Sequence, residues 1–411
     1  MPRWPNRPAG ATRRPVDNVG ASLAALDRAG LRRSMRTISG SQGPRVMLDG
    51  AEVLLLCSNN YLGLADHPRV RQAAADAAER YGAGAGASRL ISGDMELHGS
   101  LERRLAAFKG AESALLFGSG YLANLGIVAA LAGEGGVVFS DELNHASIID
   151  GCRLARAETF VYRHRDIEHL AWGLEQAEGR GALIVTDGVF SMDGDVAPLP
   201  ALAELAERHR VRLMVDEAHG TGAIGPGGRG TVAAAGLEGR VDVVVGTLGK
   251  ALGSYGAYAC TSAQLREFLI NRARPFIFST APPPPSVGAA LASLALLESR
   301  PGVVEHLRRN AAVMREALGS YDLDVGDSRT QIIPVMVGDA RRAVRLCERA
   351  LDGGVFAQAI RPPTVPEGTS RLRLTVMANH RADELQNAAR VIGKAARELG
   401  IARGAHLRQA A

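Results

Sequence analysis

The sequence predicts an α/β protein, with a large domain built on a mainly parallel, helix-covered sheet and a smaller α+β domain at its C-terminal end. Two observations carry this. From about residue 66, segments of helical apolar period alternate with short, wholly apolar runs, the pattern of βαβ units whose strands are buried on both faces. Beyond the run Pro282–Pro285 the grain changes to long helices with few strands between them. A length of 411 residues, at roughly 150 residues per domain, leaves room for two to three domains.

Taken in order, residues 1–20 are rich in Pro, Arg and Gly without an apolar period, and read as a loose extension. Residues 21–55 form an N-terminal segment expected to pack with the small domain. The large domain spans 56–290. Its helices fall at 70–81, 98–108, 121–132, 145–156, 166–177 and 199–210, and its strands are SALLF, GVVFSD, TFVYR, ALIVTD, VRLMVD and VDVVVGT. A helix near 286–299 leads into the small domain at 291–411. There the helices are 301–319, 340–351 and 382–399, with strands at 331–337, 356–360 and 371–376.

Composition narrows the function. With 46% hydrophobic and 22% charged residues the chain is neither disordered nor fibrous. The net charge of +5 is small, and much of it lies at Arg3, Arg7, Arg13, Arg14, Arg28, Arg32, Arg33 and Arg36. Aromatics are only 4%, which argues against a nucleic-acid binder. Cys57, Cys152, Cys260 and Cys347 are far apart and lack metal-ligand spacing, so neither a zinc site nor a disulfide scaffold is expected. No apolar stretch follows the basic start, and the longest uncharged run, Ser279–Leu297, is broken by prolines to about a dozen helical residues where a span needs about 20. A soluble, cytoplasmic protein is expected.

Three motifs imitate other families. Gly220 to Gly225 spells G-x-G-x-x-G, but Pro226-Gly227-Gly228-Arg229-Gly230 cannot make the helix on which that fingerprint depends. Asp216-Glu217-Ala218-His219 spells the acidic box of some ATPases, yet no G-x-x-x-x-G-K-[ST] loop accompanies it. Gly82 to Gly86 reads as a turn after the helix ending near Tyr81.

The remaining polar groups make chemical sense together. Lys250 follows the apolar strand VDVVV amid glycines and small residues that leave room for a bulky group, and a partly desolvated lysine there suits a Schiff-base nucleophile. Asp216 ends another buried strand, either capping the next turn or holding a pyridinium nitrogen protonated. His219 and Ser191 fit a phenolic oxygen, and His145, starting a helix, fits a ring face. Singly each is more often structural than catalytic. At the C-terminal ends of successive strands, where open α/β sheets bind ligands, they gain weight as a set. Ser119-Gly120-Tyr121 opens a helix whose free N–H groups suit a phosphate, and Thr247 adds a hydroxyl. Together these describe a site for pyridoxal 5′-phosphate.

The strings SNNYLGLADHP, FGSGYLANLG, NHASIIDG, DGVFSMDGDVAPL, VDEAHGTGAIG, GTLGKALGSYGAY, IFSTAPPP and IRPPTVPEGTSRLRLTVMANH, in order over about residues 22–400, resemble the α-oxoamine synthases, pyridoxal-phosphate enzymes of fold type I. That resemblance implies that Lys250 forms the Schiff base, Asp216 pairs with the ring nitrogen, His219 and Ser191 reach the phenolic oxygen, and His145 stacks on the ring. Gly120, Tyr121 and Thr247 match the phosphate cup, and Ser279 and Thr280 match a segment reaching the neighbouring subunit's phosphate, so a homodimer is implied. Arg373 and Asn59 match contacts to the amino-acid carboxylate, and Thr364 and Arg32 match acyl-substrate contacts.

The C-terminal string resembles most the alanine-using branch of biotin synthesis. The implied reaction is decarboxylative condensation of L-alanine with pimeloyl-CoA or a pimeloyl acyl carrier protein, which leaves the carrier open. A glycine-using relative, such as a 2-amino-3-ketobutyrate ligase, is the alternative. Tyr255 either shapes the acyl pocket or packs the strand.

Overall fold

The computed structural model describes residues 19–401. The expected loose extension at 1–20 lies almost wholly outside that range, as do Arg3, Arg7, Arg13 and Arg14. Seven strands form the central sheet: β1 (Ser113–Phe117), β2 (Val137–Asp141), β3 (Glu158–Tyr162), β4 (Gly181–Asp187), β5 (Arg212–Asp216), β6 (Val243–Thr247) and β7 (Ala257–Thr261). Their order across the sheet is β1-β7-β6-β5-β4-β2-β3. Only β7 runs against its neighbours; the pairs from β6 to β3 are all parallel.

Parallel strands need crossovers, and the helices Gly120–Ala132, Ala146–Ala155, Ile167–Gln176 and Leu199–His209 lie between successive strands where the apolar period predicts them. They cover both faces. Successive residues of β5 show it: Leu213 and Val215 enter one apolar cluster with Phe139 and Ile184, while Met214 enters a second with Val138, Leu183 and Val245. Continuous apolar runs are therefore what the fold demands, since each fully buried aliphatic side chain contributes about 1.5–3 kcal/mol.

The sequence did not predict β7. Lys250 lies in a short glycine-bearing loop between β6 and β7, too short to carry a crossover, so the chain must return antiparallel. Gly246 on β6 faces Tyr258 on β7 so closely that a Cβ there would stand 2.3 Å from the buried ring. On the far side of the molecule, helix Pro284–Ser299 buries its apolar length against helix Pro68–Tyr81, where Gly288 lets the two backbones approach. No single helix among the described residues is long and apolar enough to cross a membrane.

In the C-terminal part, Ile332–Gly338, Ser370–Thr375 and Gln358–Ile360 form an antiparallel sheet in that spatial order, backed by helix Ala340–Asp352. The single strand expected at 356–360 divides in two. Val355–Phe356 pairs in parallel with Ala51–Leu55, which pairs antiparallel with Arg45–Leu48. A change of partner sheet between Phe356 and Gln358 splits the run, and residue alternation cannot show such a change. Gly220–Gly225 runs into the 3₁₀ turn Pro226–Gly228, and within Asp216–His219 it is Glu217 that is structural, accepting hydrogen bonds from Thr231 Oγ1 and Val232 N at 2.9 and 2.8 Å.

Gly246→Ala is expected to overpack the β6–β7 pair and destabilise the protein by about 1–3 kcal/mol. A lower denaturant midpoint at unchanged m-value would show it.

Candidate active site

Strands β2, β4, β5 and β6 end at Asp141, Asp187, Asp216 and Thr247 along one rim of the sheet. The rim therefore gathers polar groups from turns that are distant in sequence.

After β6, the loop folds back through hydrogen bonds from Gly253 N to the Lys250 carbonyl and from Ser254 N to that of Leu248. Thr247 Oγ1 donates to Gly256 O at 3.1 Å and accepts from Gly249 N at 3.1 Å, so the threonine braces this loop. The half-buried Lys250 Nζ stands 2.9 Å from His219 Nε2. Burial lowers the lysine pKa to about 8; Asp216 and Asp187 oppose the shift and Arg373 adds to it. His219 is buried, and burial together with the positive Lys250 and Arg373 drives its pKa well below the ordinary value.

A neutral His219 fixes the direction of a polar chain. Its Nδ1 meets Tyr61 Oη at 2.6 Å, and that hydroxyl donates to Asn59 Oδ1 at 3.1 Å. Assigned from this network, Nδ1 carries the proton and Nε2 accepts from Lys250. Asn59 Oδ1 also faces the Arg373 guanidinium at 3.4 and 3.5 Å, and Arg373 Nε donates to the Ser191 carbonyl. Lys250, His219, Tyr61, Asn59 and Arg373 thus form one continuous line.

A second line begins at Asp216. Its Oδ1 accepts from Ala218 N at 2.7 Å, which caps the turn, and its Oδ2 accepts from Asn124 Nδ2 at 2.6 Å. The turn-capping reading of this carboxylate is thus seen at Oδ1, while Oδ2 is held by Asn124. Asn124 Nδ2 also donates to Ser147 Oγ at 2.9 Å, which lies 2.7 Å from His145 Nδ1. His145 is exposed as a residue, yet desolvation lowers its pKa, with Asp216 opposing and Lys250 adding. Its backbone N–H donates to Asp187 Oδ2 at 2.9 Å. Asp187 pairs in register with Asp216, and burial beside that second carboxylate raises its pKa well above the ordinary range.

At the start of helix Gly120–Ala132, Ser119 Oγ accepts from Leu122 N at 3.2 Å, and the space beside Gly120 is open: beyond its own helix and chain neighbours, a side chain there would meet no atom within 4 Å. The exposed Tyr121 hydroxyl donates to Asp150.

The outer residues scatter. Thr364 lines a cavity of about 680 Å³ with Asn144, Phe190, Met192, Asp193 and Arg371. Arg32 is absent from that lining; it is exposed and turns to Asp27 Oδ2 at 2.7 Å, while Arg33 reaches Thr364 Oγ1 at 3.5 Å. Thr280 bridges to Ser88, and the next residue, Ala281, donates its N–H to Ala87 O at 3.0 Å, so this segment is pinned to residues 87–88.

Sequence reasoning missed Tyr61, Asn124, Ser147 and Asp187. Asp187 was within reach, because it ends the strand ALIVTD in the same way that Asp216 ends VRLMVD. Among the described residues no group of three or more His, Cys, Asp or Glu is placed to hold a metal ion.

The sequence matches the aminotransferase class I and II family model over residues 51–392. It is 54% identical over 387 residues to the 8-amino-7-oxononanoate synthase of Geobacter sulfurreducens, covering 93% of this chain and 99% of that one. To the same-named protein of Symbiobacterium thermophilum it is 48% identical, covering 94% and 99%. Among solved structures, a serine palmitoyltransferase from S. paucimobilis with bound PLP–myriocin superimposes at a TM-score of 0.89 with 34% identity, over 94% of this chain and 98% of that one. An 8-amino-7-oxononanoate synthase from Francisella tularensis follows at 0.73 with 29% identity, over 84% and 98%.

The donor set fits pyridoxal 5′-phosphate: an amine of lowered pKa, a buried carboxylate, an open imidazole face and a helix N-terminus beside free space.

A lysine pKa of about 8 has a measurable consequence. In cofactor-free protein, the rate at which an amine-selective reagent labels Lys250 should rise with pH and level off above about 8, because the reactive neutral amine is already formed there. A rate still climbing toward pH 10 would mean that the amine keeps an ordinary pKa.

Proposed function

The chain belongs to the 8-amino-7-oxononanoate synthases, within the class I and II aminotransferase family, and from that premise we propose that it condenses L-alanine with a pimeloyl thioester. The protein is a pyridoxal-phosphate-dependent acyltransferase of biotin biosynthesis. The products of the proposed reaction are 8-amino-7-oxononanoate, CO2 and the free thiol of CoA or an acyl carrier protein. The observation that carries this reading is the half-buried Lys250, of lowered pKa, at one end of a polar line whose other end is Arg373.

When bound, the cofactor supplies an electron sink for negative charge developing at the amino acid's α-carbon. Lys250 would anchor it, and the pKa of about 8 suits the same Nζ to accept the amino acid's α-proton. Asp216, held by Asn124 and the Ala218 amide, would keep the ring nitrogen protonated through a charge-assisted hydrogen bond. His145 would lie against one face of the ring, and His219 and Ser191 would serve its phenolic oxygen. Gly120, Tyr121 and Thr247 would hold the phosphate at the helix N-terminus.

Arg373 and Asn59 orient the alanine carboxylate, the group lost as CO2. Thr364 lies along the acyl cavity, which at about 680 Å³ has room for a chain longer than acetyl. Relatives at 54% and 48% identity named 8-amino-7-oxononanoate synthase favour L-alanine and pimeloyl over the glycine- and acetyl-using alternative. For Arg32, the partner Asp27 leaves a role only if substrate displaces that exposed pair.

A second copy of the chain completes the site in this proposal. Leu90, Ile91, Tyr255 and Phe278 are all exposed, Ile91 at 80% and Phe278 at 70%, and Phe278 adjoins Ser279 and Thr280, which would face the partner's phosphate. A cytoplasmic location accords with four free cysteines.

Purified protein should show a visible absorbance band that responds saturably to L-alanine and weakly to glycine, and Lys250→Ala should abolish turnover with pimeloyl thioester. A glycine preference, or equal turnover of an acetyl thioester, would overturn the substrate assignment. Ile91→Asp combined with Phe278→Asp should convert a dimer to monomers by light scattering; a wild-type protein that is already monomeric would contradict the shared site.

A further inference from the structure

His164 has no place in the chemistry above, yet it joins two segments that line the substrate cavity. It lies just past β3, with its side chain 20% exposed, and its two ring nitrogens meet two buried carboxylates. Nδ1 is 2.9 Å from Asp141 Oδ1 and Nε2 is 2.7 Å from Asp195 Oδ2. The ring packs edge-on against Phe190 at a centroid distance of 4.4 Å.

The groups around it favour the imidazolium. Burial alone would lower the His164 pKa, but hydrogen bonds to Asp141 and Asp195, and their charges, outweigh it and raise the pKa to about 9. Glu142 accepts from the His164 backbone N–H at 2.9 Å. Arg165, its neighbour, donates its backbone N–H to Asp141 Oδ2 at 2.9 Å and its guanidinium to Asp195 Oδ2 at 3.2 Å. Only the doubly protonated ring donates to both carboxylates at once.

The two carboxylates belong to different parts of the site. Asp141 ends β2 and leads through Glu142, Leu143 and Asn144, which line the acyl cavity, to His145. Asp195 closes the loop after β4: Phe190 N donates to Asp195 O and Gly194 N to Phe190 O. That loop presents the Ser191 carbonyl to Arg373 Nε and the Asp193 carboxylate to Arg371. Its Phe190, Met192 and Asp193 line the same cavity as Glu142, Leu143 and Asn144.

We propose that His164 is a positioning residue, an imidazolium clamp that holds the Phe190–Asp195 loop against the end of β2 and thereby aims Arg373 at the amino-acid carboxylate and sets the width of the acyl cavity. This rests on the reading of the site as an alanine- and acyl-binding centre.

A glutamine at 164 can keep at most one of the two hydrogen bonds as a donor–acceptor pair and carries no charge, so His164→Gln is the test. In the cofactor-loaded enzyme, KM for L-alanine and for pimeloyl thioester should each rise about tenfold at pH 7.5, with kcat within threefold. The ratio of variant to wild-type KM should fall toward one as pH passes about 9, where the wild-type ring loses its charge. Taking the ratio cancels the titrations of Lys250 and of alanine itself.

In cofactor-free protein, backbone amides of 188–197 should exchange hydrogen about tenfold faster in the variant than in the wild type. Unchanged KM values with unchanged exchange, or a loss of thermal stability alone with no KM change, would overturn the clamp. Wild-type protein that fails to turn over L-alanine would instead overturn the reading of the preceding subsection, and the exchange comparison would still decide the clamp.

Discussion

An amine taken out of water loses its preference for carrying charge, and the site is organised around that loss. Lys250 is desolvated at the rim of the sheet, with a neutral imidazole as its nearest partner. An ion pair with a carboxylate at the same distance would have held the proton in place. Instead Asp216 and Asp187, which do oppose the shift, act from neighbouring strands, and each is occupied by donors of its own. The result is a lysine balanced near neutrality.

This balance depends on the parallel sheet. Because β2, β4, β5 and β6 run the same way, their C-terminal ends place four different turns on one rim. The two polar lines at that rim draw on different parts of the chain. One runs from Asp216 through Asn124 and Ser147 to His145, using the helices after β1 and β2. The other runs from Lys250 through His219 and Tyr61 to Asn59 and Arg373, drawing on the N-terminal and C-terminal parts of the chain. The antiparallel return of β7 matters as much, since it folds the lysine loop back over the site in place of a crossover helix.

Much of this was legible in the residues. Helices and strands of the large domain follow from period alone, because burial on both faces forces continuous apolar runs. Lys250, Asp216, His219 and His145 were legible because each is a chemistry-bearing residue at the end of such a run. Tyr61, Asn124 and Ser147 were not, for they are ordinary polar residues whose partners lie far away in sequence, at His219, Asp216 and His145. Strand β7 was hidden by the βα alternation around it, and Val355–Phe356 by its choice of a partner near the N-terminus.

The sequence by itself determined the sheet-and-helix alternation, the strand ends that carry reactive groups, and the family, because local period and contiguous motifs are properties of neighbouring residues. The tertiary structure alone decided which nitrogen of His219 accepts from Lys250, that Arg33 and not Arg32 reaches Thr364, and that His164 spans Asp141 and Asp195. Those are contacts between residues brought together by packing. Hydrogen bonds and pKa values depend on distance and burial in three dimensions, and no spacing along the chain encodes either.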